Sequence, residues 1–200
     1  APDQLHRILD NIRHRNFAAQ MQPFLWSSGT ILVNYTGYKG DHLQGALHLP
    51  PNYVKGQKVP MMVEFYEKMS QNAYQFIRPT ANGFSISLYN SHGYAVFDPD
   101  ISYKVDDPGV SSAGCLINAV QAAIATGVSD PAHIGIHGHS WGGYQTAFVI
   151  TQTHLFAAAM AGAPLTDMIS MYGVIYKNSG VTNGQIFEAS QGRFSGPPWD

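Results

Sequence analysis

Charge is scarce in this chain: 12% of its 200 residues are Asp, Glu, Lys or Arg, and the formal net charge is −2. No run of Lys or Arg appears, so neither nucleic acid nor an anionic membrane surface is an expected partner. Cysteine is nearly absent. The single Cys115 excludes a disulfide framework within the sequence, and its place in a helical apolar pattern marks a buried thiol rather than a reactive one. Long apolar runs are missing too, since the longest, residues 155–165, is rich in alanine and too short to span a bilayer. No glycine-rich phosphate loop follows a strand pattern, and no Cys, Asp or Glu set accompanies the alternating His133, His137 and His139, so neither a cofactor nor a metal is expected. The first residues lack the basic-then-apolar layout of a signal peptide, and the sequence opens on Ala1 rather than Met, so the native start is expected upstream.

What is present suits one globular domain with a substantial core: 44% of the residues are hydrophobic. Residues 1–23 hold Arg7, Arg13 and Arg15 but little periodic apolar pattern, and read as the tail of a preceding domain or a linker. The domain proper is expected over 24–200. Two alternating segments, 30–36 and 43–49, flank a glycine-bearing turn and predict an antiparallel hairpin. Residues 61–66 and 93–98 are continuous apolar runs of the kind buried on both faces of a parallel sheet. Helical spacing of Ala113, Leu116, Ile117, Val120 and Ile124 predicts a helix over 111–126, and a further strand is expected at 157–161. Strands alternating with helices after a hairpin imply an α/β sheet, mostly parallel, with helices on both faces and a ligand cleft at the strand carboxyl ends. Tyr66, Asp98 and Ser140 fall at such ends, so the three segments could converge there, although turn or cap roles are commoner for Asp98 and Asp100.

The segment around Ser140 carries the chemistry. Residues 132–138 read as a short strand after a Ser129-Asp130-Pro131 turn, and residues 144–154 can run as a helix. Between them Gly138 and Gly142 flank Ser140 at minus two and plus two, the Gly-x-Ser-x-Gly arrangement that mounts a nucleophile on a strained strand-to-helix turn. The backbone N–H of Trp141, at the start of the following helix, would point to where a carbonyl oxygen gains negative charge. A serine hydroxyl also needs a base and an orienting carboxylate. His154 is the one histidine after Ser140, but it precedes Asp167 and Asp200 in the chain and lies about 20 Å along the predicted helix. It is rejected as the base.

These residues resemble a known family. Gly138-His139-Ser140-Trp141-Gly142-Gly143-Tyr144, the 58–67 stretch ending at Tyr66-Glu67, the 93–98 strand and Ala161-Gly162-Ala163-Pro164 resemble, in order and spacing, the catalytic domain of the prolyl oligopeptidase family of serine peptidases. The resemblance implies the α/β-hydrolase fold, and a chain that stops before its C-terminal part, where the triad acid and histidine would follow beyond Asp200. It implies serine-type hydrolysis of peptides on Ser140, with the Trp141 amide and the Tyr66 hydroxyl as donors to the oxyanion. The plainer alternative for Tyr66 is a strand-end aromatic with its hydroxyl in water. Leu165, Met168, Met171 and Tyr172 correspond to the apolar pocket for the residue before the scissile bond, or else are ordinary core on a helical face. Methionine there makes a soft wall that argues against strict proline specificity. The resemblance also implies a gating domain elsewhere in the parent protein, and favours a periplasmic or secreted location over a cytoplasmic one. A carboxylic-ester hydrolase on the same fold, and a catalytically incomplete fragment acting only as a binding module, are the alternatives.

Overall fold

In a computed structural model, residues 24–80, 83–199 are described, so the tail or linker expected over 1–23 lies outside the described residues. Strands β1 (Gly29–Thr36) and β2 (His42–Leu49) pair antiparallel from Gly29 opposite Leu49 to Thr36 opposite His42. Along β1 the burial alternates toward its end, with Val33 and Tyr35 inward, which is the period-two pattern of a strand with one wet face. Strands β3 (Val59–Glu64), β4 (Ala95–Pro99), β5 (Ser129–His139) and β6 (Ala158–Gly162) complete a six-stranded sheet of order β1-β2-β4-β3-β5-β6. The β2–β4 pairing is antiparallel, whereas β4–β3, β3–β5 and β5–β6 are all parallel. Every residue of β4 is buried, as its continuous apolar run requires.

Helix α1 (Ile86–Ser91) lies between β3 and β4 in the chain and packs on β4 and β2. Helix α2 (Pro108–Ala125) packs against β1 and against α3 (Trp141–Val149), while α3 also covers β5 and β6. Two short helices follow, α4 (Met168–Tyr172) and α5 (Gly184–Glu188). Among the described helices, α2 alone is long and apolar enough to cross a membrane by length and composition; 56% of it is buried, and Cys115, Leu116, Ala119 and Val120 are fully enclosed in the core. The core gathers Phe97, Met61, Val63, Ile134, Ile136 and Trp141 between this helix layer and the central strands. The sheet and its helices are those of the α/β-hydrolase fold.

Strands β3 and β4 run over Val59–Glu64 and Ala95–Pro99 rather than 61–66 and 93–98, which leaves Tyr66 just past its strand, and three other boundaries shift for a local reason. Helix α2 begins at Pro108 instead of residue 111, because proline at the first position has a preset φ and lacks only an N–H that would have no partner. Strand β5 begins at Ser129, the first residue of the expected turn. Val59 pairs with Ser129 and Met61 with Ile134, so residues 130–133 stand opposite Pro60 as a bulge, inside which the Asp130 carboxylate accepts the Ala132 N–H at 3.0 Å. Helix α3 starts at Trp141, directly after Ser140, and ends at Val149, where Thr151 and Gln152 turn back onto Phe148 and Val149. His154 therefore lies beyond the helix and is exposed.

Candidate active site

Ser140 joins β5 to α3 with φ 57° and ψ −116°, a combination that costs a non-glycine residue about 1–3 kcal/mol and persists only where the surroundings impose it. They do so here through backbone contacts. Ser140 N–H donates to the Gly162 carbonyl at 2.8 Å, and the Ser140 carbonyl accepts from Tyr144 N–H at 3.1 Å. A Cβ on Gly138 would sit 2.2 Å from the Gly142 carbonyl oxygen, so strand end and helix start meet without room for a side chain. On Gly143 it would sit 2.6 Å from the Gly162 carbonyl, and on Gly142 3.0 Å from the Phe65 carbonyl and 3.6 Å from the Tyr66 ring. The first turn of α3 is thus wedged between the end of β3 on one side and the end of β6 on the other. Ala163, just past β6, also has a positive φ of 44°.

Trp141 is fully buried, its ring edge-on to Tyr144 at 5.2 Å and to Phe187 at 5.9 Å. That anchor leaves its backbone amide in the first turn of α3, where no intrahelical acceptor exists. Its indole Nε1 has no hydrogen-bond partner among the described residues. Tyr66 is half-buried. Its backbone carbonyl accepts from the Tyr103 hydroxyl at 2.9 Å, and Tyr103 in turn accepts from the Gln145 amide. Burial pushes the Tyr103 phenol well above its ordinary value, so it stays a neutral donor. The Tyr66 hydroxyl accepts from the Gln191 amide, and the next residue, Glu67, pairs with Arg193, whose guanidinium also lies 4.7 Å over the Tyr103 ring. Asp100 caps the following turn: its carboxylate accepts Met69 N–H at 2.8 Å and Ser70 N–H at 2.9 Å.

Trp141 follows Ser140 directly and the Tyr66 ring lies beside Gly142, two residues on; Asp98 is placed elsewhere. The Asp98 carboxylate is buried against His48 Nε2 of the neighbouring β2 at 3.4 Å, and Thr30 Oγ1 meets His48 Nδ1 at 2.9 Å, so this acid is spent within the sheet. Burial pushes its carboxyl upward, partly offset by His48. His133 faces the Asp130 carboxylate at 2.8 Å, while His137 is bonded to Glu64 across β3–β5 and stacks on Phe84 at 5.2 Å. His133 and His137 thus turn to separate carboxylates.

Leu165, Met168, Met171 and Tyr172 are all half-buried against the core. Asp167 caps α4 by accepting Ser170 N–H at 3.0 Å, and this bonding with Ser170 holds its carboxyl below the ordinary range. A cavity of about 380 Å³ takes two of the four, Met168 and Tyr172, and adds Asp106, Phe187, Phe194, Ser195, Gly196, Pro197 and Pro198. Neither Ser140 nor Tyr66 lines it; Phe187, in contact with both Trp141 and Tyr172, is the link between cavity and elbow. Phe187, Phe194, Gln191 and Arg193 lie in a stretch with no periodic pattern, and their site contacts reach back as far as residue 66, so sequence reading offered no signal for them.

Residues 107–192, which include the elbow, α4, α5 and Gln191, match the pattern of the prolyl oligopeptidase family. Over that stretch the chain is similar to the family. Among curated relatives it is similar to the probable chloroplastic glutamyl endopeptidase of Arabidopsis thaliana, 27% identical over 182 residues, covering 80% of this chain and 18% of that protein. It is also similar to prolyl endopeptidase FAP of Bos taurus, 28% identical over 138 residues, covering 64% of this chain and 18% of that protein. The chain thus spans less than a fifth of these relatives' length. Among solved structures it superposes on dipeptidyl peptidase 4 of Porphyromonas gingivalis with TM-score 0.59 at 20% identity, covering 76% of this chain and 23% of the other. An acylaminoacyl peptidase of Pyrococcus horikoshii gives TM-score 0.60 at 17% identity, over 88% of this chain and 28% of the other. These likenesses carry the fold.

Two outcomes follow from this packing. Gly138→Ala should cost about 3 kcal/mol or more in chemical denaturation, because the atom it meets is backbone. Gly135→Ala, whose Cβ meets the Met62 sulfur at 2.5 Å, should cost less than half as much, since a thioether can swing aside; equal losses would contradict the wedge. The second concerns pH. Burial pushes the Glu64 carboxyl above its ordinary 4.5, with His137 pulling the other way. Glu64 is then harder to ionise folded than unfolded, so its contribution to stability is fully present below 4.5 and lost as pH rises through the raised folded value. In melts between about pH 4 and 7, the parent should lose stability relative to Glu64→Gln as pH rises; a relative gain would contradict the assignment.

Proposed function

We infer that the protein is a serine-type peptidase that cleaves peptide bonds through an acyl-enzyme on Ser140. The observation that carries this is the elbow: a strained Ser140 locked at the β5–α3 junction, with the Trp141 amide following it and the Tyr66 ring against Gly142 beside it. In the proposed reaction Ser140 Oγ attacks the scissile carbonyl and gives its proton to a histidine base. The carbonyl oxygen takes up the electron pair and is met by the Trp141 N–H and the Tyr66 O–H. The C–N bond then breaks, the amine leaves with the proton from the histidine, and water releases the acyl group by the same steps in reverse.

Among the described residues no histidine is hydrogen-bonded to Ser140. The reading therefore assigns the base and its carboxylate to segments outside them. The cavity beside the elbow, walled by Met168, Tyr172, Phe187 and Phe194, suits an apolar side chain, and its adaptable thioether fits tolerance better than strict proline selection. Peptide substrates agree with the peptidase names of the relatives. A gating domain in the rest of the protein, and a location outside the cytoplasm, belong to the same proposal and rest on the family resemblance alone.

A fluorophosphonate probe on the native full-length protein tests this. The expected outcome is labelling at Ser140 that is lost in Ser140→Ala and on heat denaturation, together with cleavage of peptide 4-nitroanilides. A native protein that does not label at Ser140 would sink the proposal. Labelling with turnover of simple esters but not of anilides would replace the peptidase by an esterase.

A further inference from the structure

We propose that Gln191 is a positioning residue for the oxyanion site, acting through the Tyr66 hydroxyl. This rests on the reading of Tyr66 as an oxyanion donor and adds what aims it. A phenol carries one proton and two acceptor lone pairs, and its proton can rotate toward either side of the ring. The Gln191 Nε2–H donates into the Tyr66 oxygen, which occupies the lone pair on that side. The phenol proton is thereby turned away from residue 191 and left for an acceptor elsewhere around the hydroxyl. Since the Tyr66 ring lies against Gly142, that acceptor is the oxygen that forms at the elbow. The incoming N–H also polarises the O–H bond, making it a stronger donor when charge develops.

Gln191 is held, so the aim is built in. Gly192 N–H donates to the Ile186 carbonyl at 2.9 Å, and Phe194 N–H to the Phe187 carbonyl at 2.9 Å, which folds the loop back on α5. A Cβ on Gly192 would lie 2.4 Å from the Phe187 carbonyl oxygen, so this closeness depends on glycine. On the other side of Gln191's target, Arg193 grips Glu67, the residue after Tyr66. Loop and tyrosine are therefore tied to each other twice, once by the ion pair and once by the amide.

The direction of the hydrogen bond is what matters, and substitution can reverse it. In the full-length enzyme acting on a peptide 4-nitroanilide, Gln191→Leu should lower kcat about tenfold with KM unchanged, a fraction of the about hundredfold loss expected for Tyr66→Phe. In the Tyr66→Phe background, Gln191→Leu should cost nothing further. Gln191→Glu keeps the shape but presents a carboxylate that captures the phenol proton, so kcat should fall at least as far as with leucine; this isosteric variant also serves should the leucine variant fail to fold. Wild-type kcat in Gln191→Glu, or a Gln191→Leu loss that persists in full without the Tyr66 hydroxyl, would overturn the positioning role while leaving Tyr66 as donor. Unchanged kcat in Tyr66→Phe itself would instead remove the oxyanion reading on which the role rests.

Discussion

The site depends on one backbone conformation, that of Ser140. Its positive φ costs about 1–3 kcal/mol on its own, and relaxing it would swing the side chain off the strand end and re-aim the Trp141 amide. What opposes relaxation is closeness on several sides: the Gly162 carbonyl takes the Ser140 N–H, glycines at 138 and 143 let backbones approach within distances that no Cβ would allow, and Gly142 packs tightly on the Phe65 carbonyl. Burial of the Trp141 ring, worth about 2–3 kcal/mol by its apolar area, pins the start of α3 from beneath. The parallel sheet supplies the geometry for this, since β3, β5 and β6 run in one direction and end together.

Around the rigid elbow, the Tyr66 segment is held by a separate set of polar contacts. Asp100 caps the turn beyond it, Tyr103 grips its carbonyl, and Arg193 and Gln191 reach it from the far end of the chain. A loop residue with so many tethers behaves as part of the scaffold, which is what a preorganised charge-stabilising site requires. The apolar cavity is built differently, from short helices and aromatic edges, with Phe187 shared between it and the Trp141 anchor. A change in the cavity wall at Phe187 can therefore reach Ser140 through Trp141.

Much of the scaffold was legible because its signals are local. The hairpin, the buried runs of β3 and β4, the α2 spacing and the elbow glycines each sit within a few residues of what they determine. Boundaries shifted where a local signal had two uses: Ser129-Asp130-Pro131 has turn chemistry, yet Asp130 and Pro131 fall in a bulge inside β5 because Val59 pairs with Ser129 before it and Met61 with Ile134 after it. Asp98 sits at a strand end as expected but is claimed by His48, a partner brought beside it only by the sheet order. Gln191 and Phe187 were illegible for the same reason, since nothing near them in sequence announces a contact with Tyr66 or Trp141. Local patterns reveal how Ser140 is mounted, and the fold alone reveals which distant residues reach Tyr66 and Trp141.

The most direct measurement is a crystal structure of the full-length protein with a peptide aldehyde bound covalently at the elbow. The account predicts a bond from Ser140 Oγ to the former aldehyde carbon, with its oxygen about 2.7–3.1 Å from both the Trp141 nitrogen and the Tyr66 hydroxyl. An adduct on another residue, or an oxygen turned away from Trp141 and Tyr66, would contradict it.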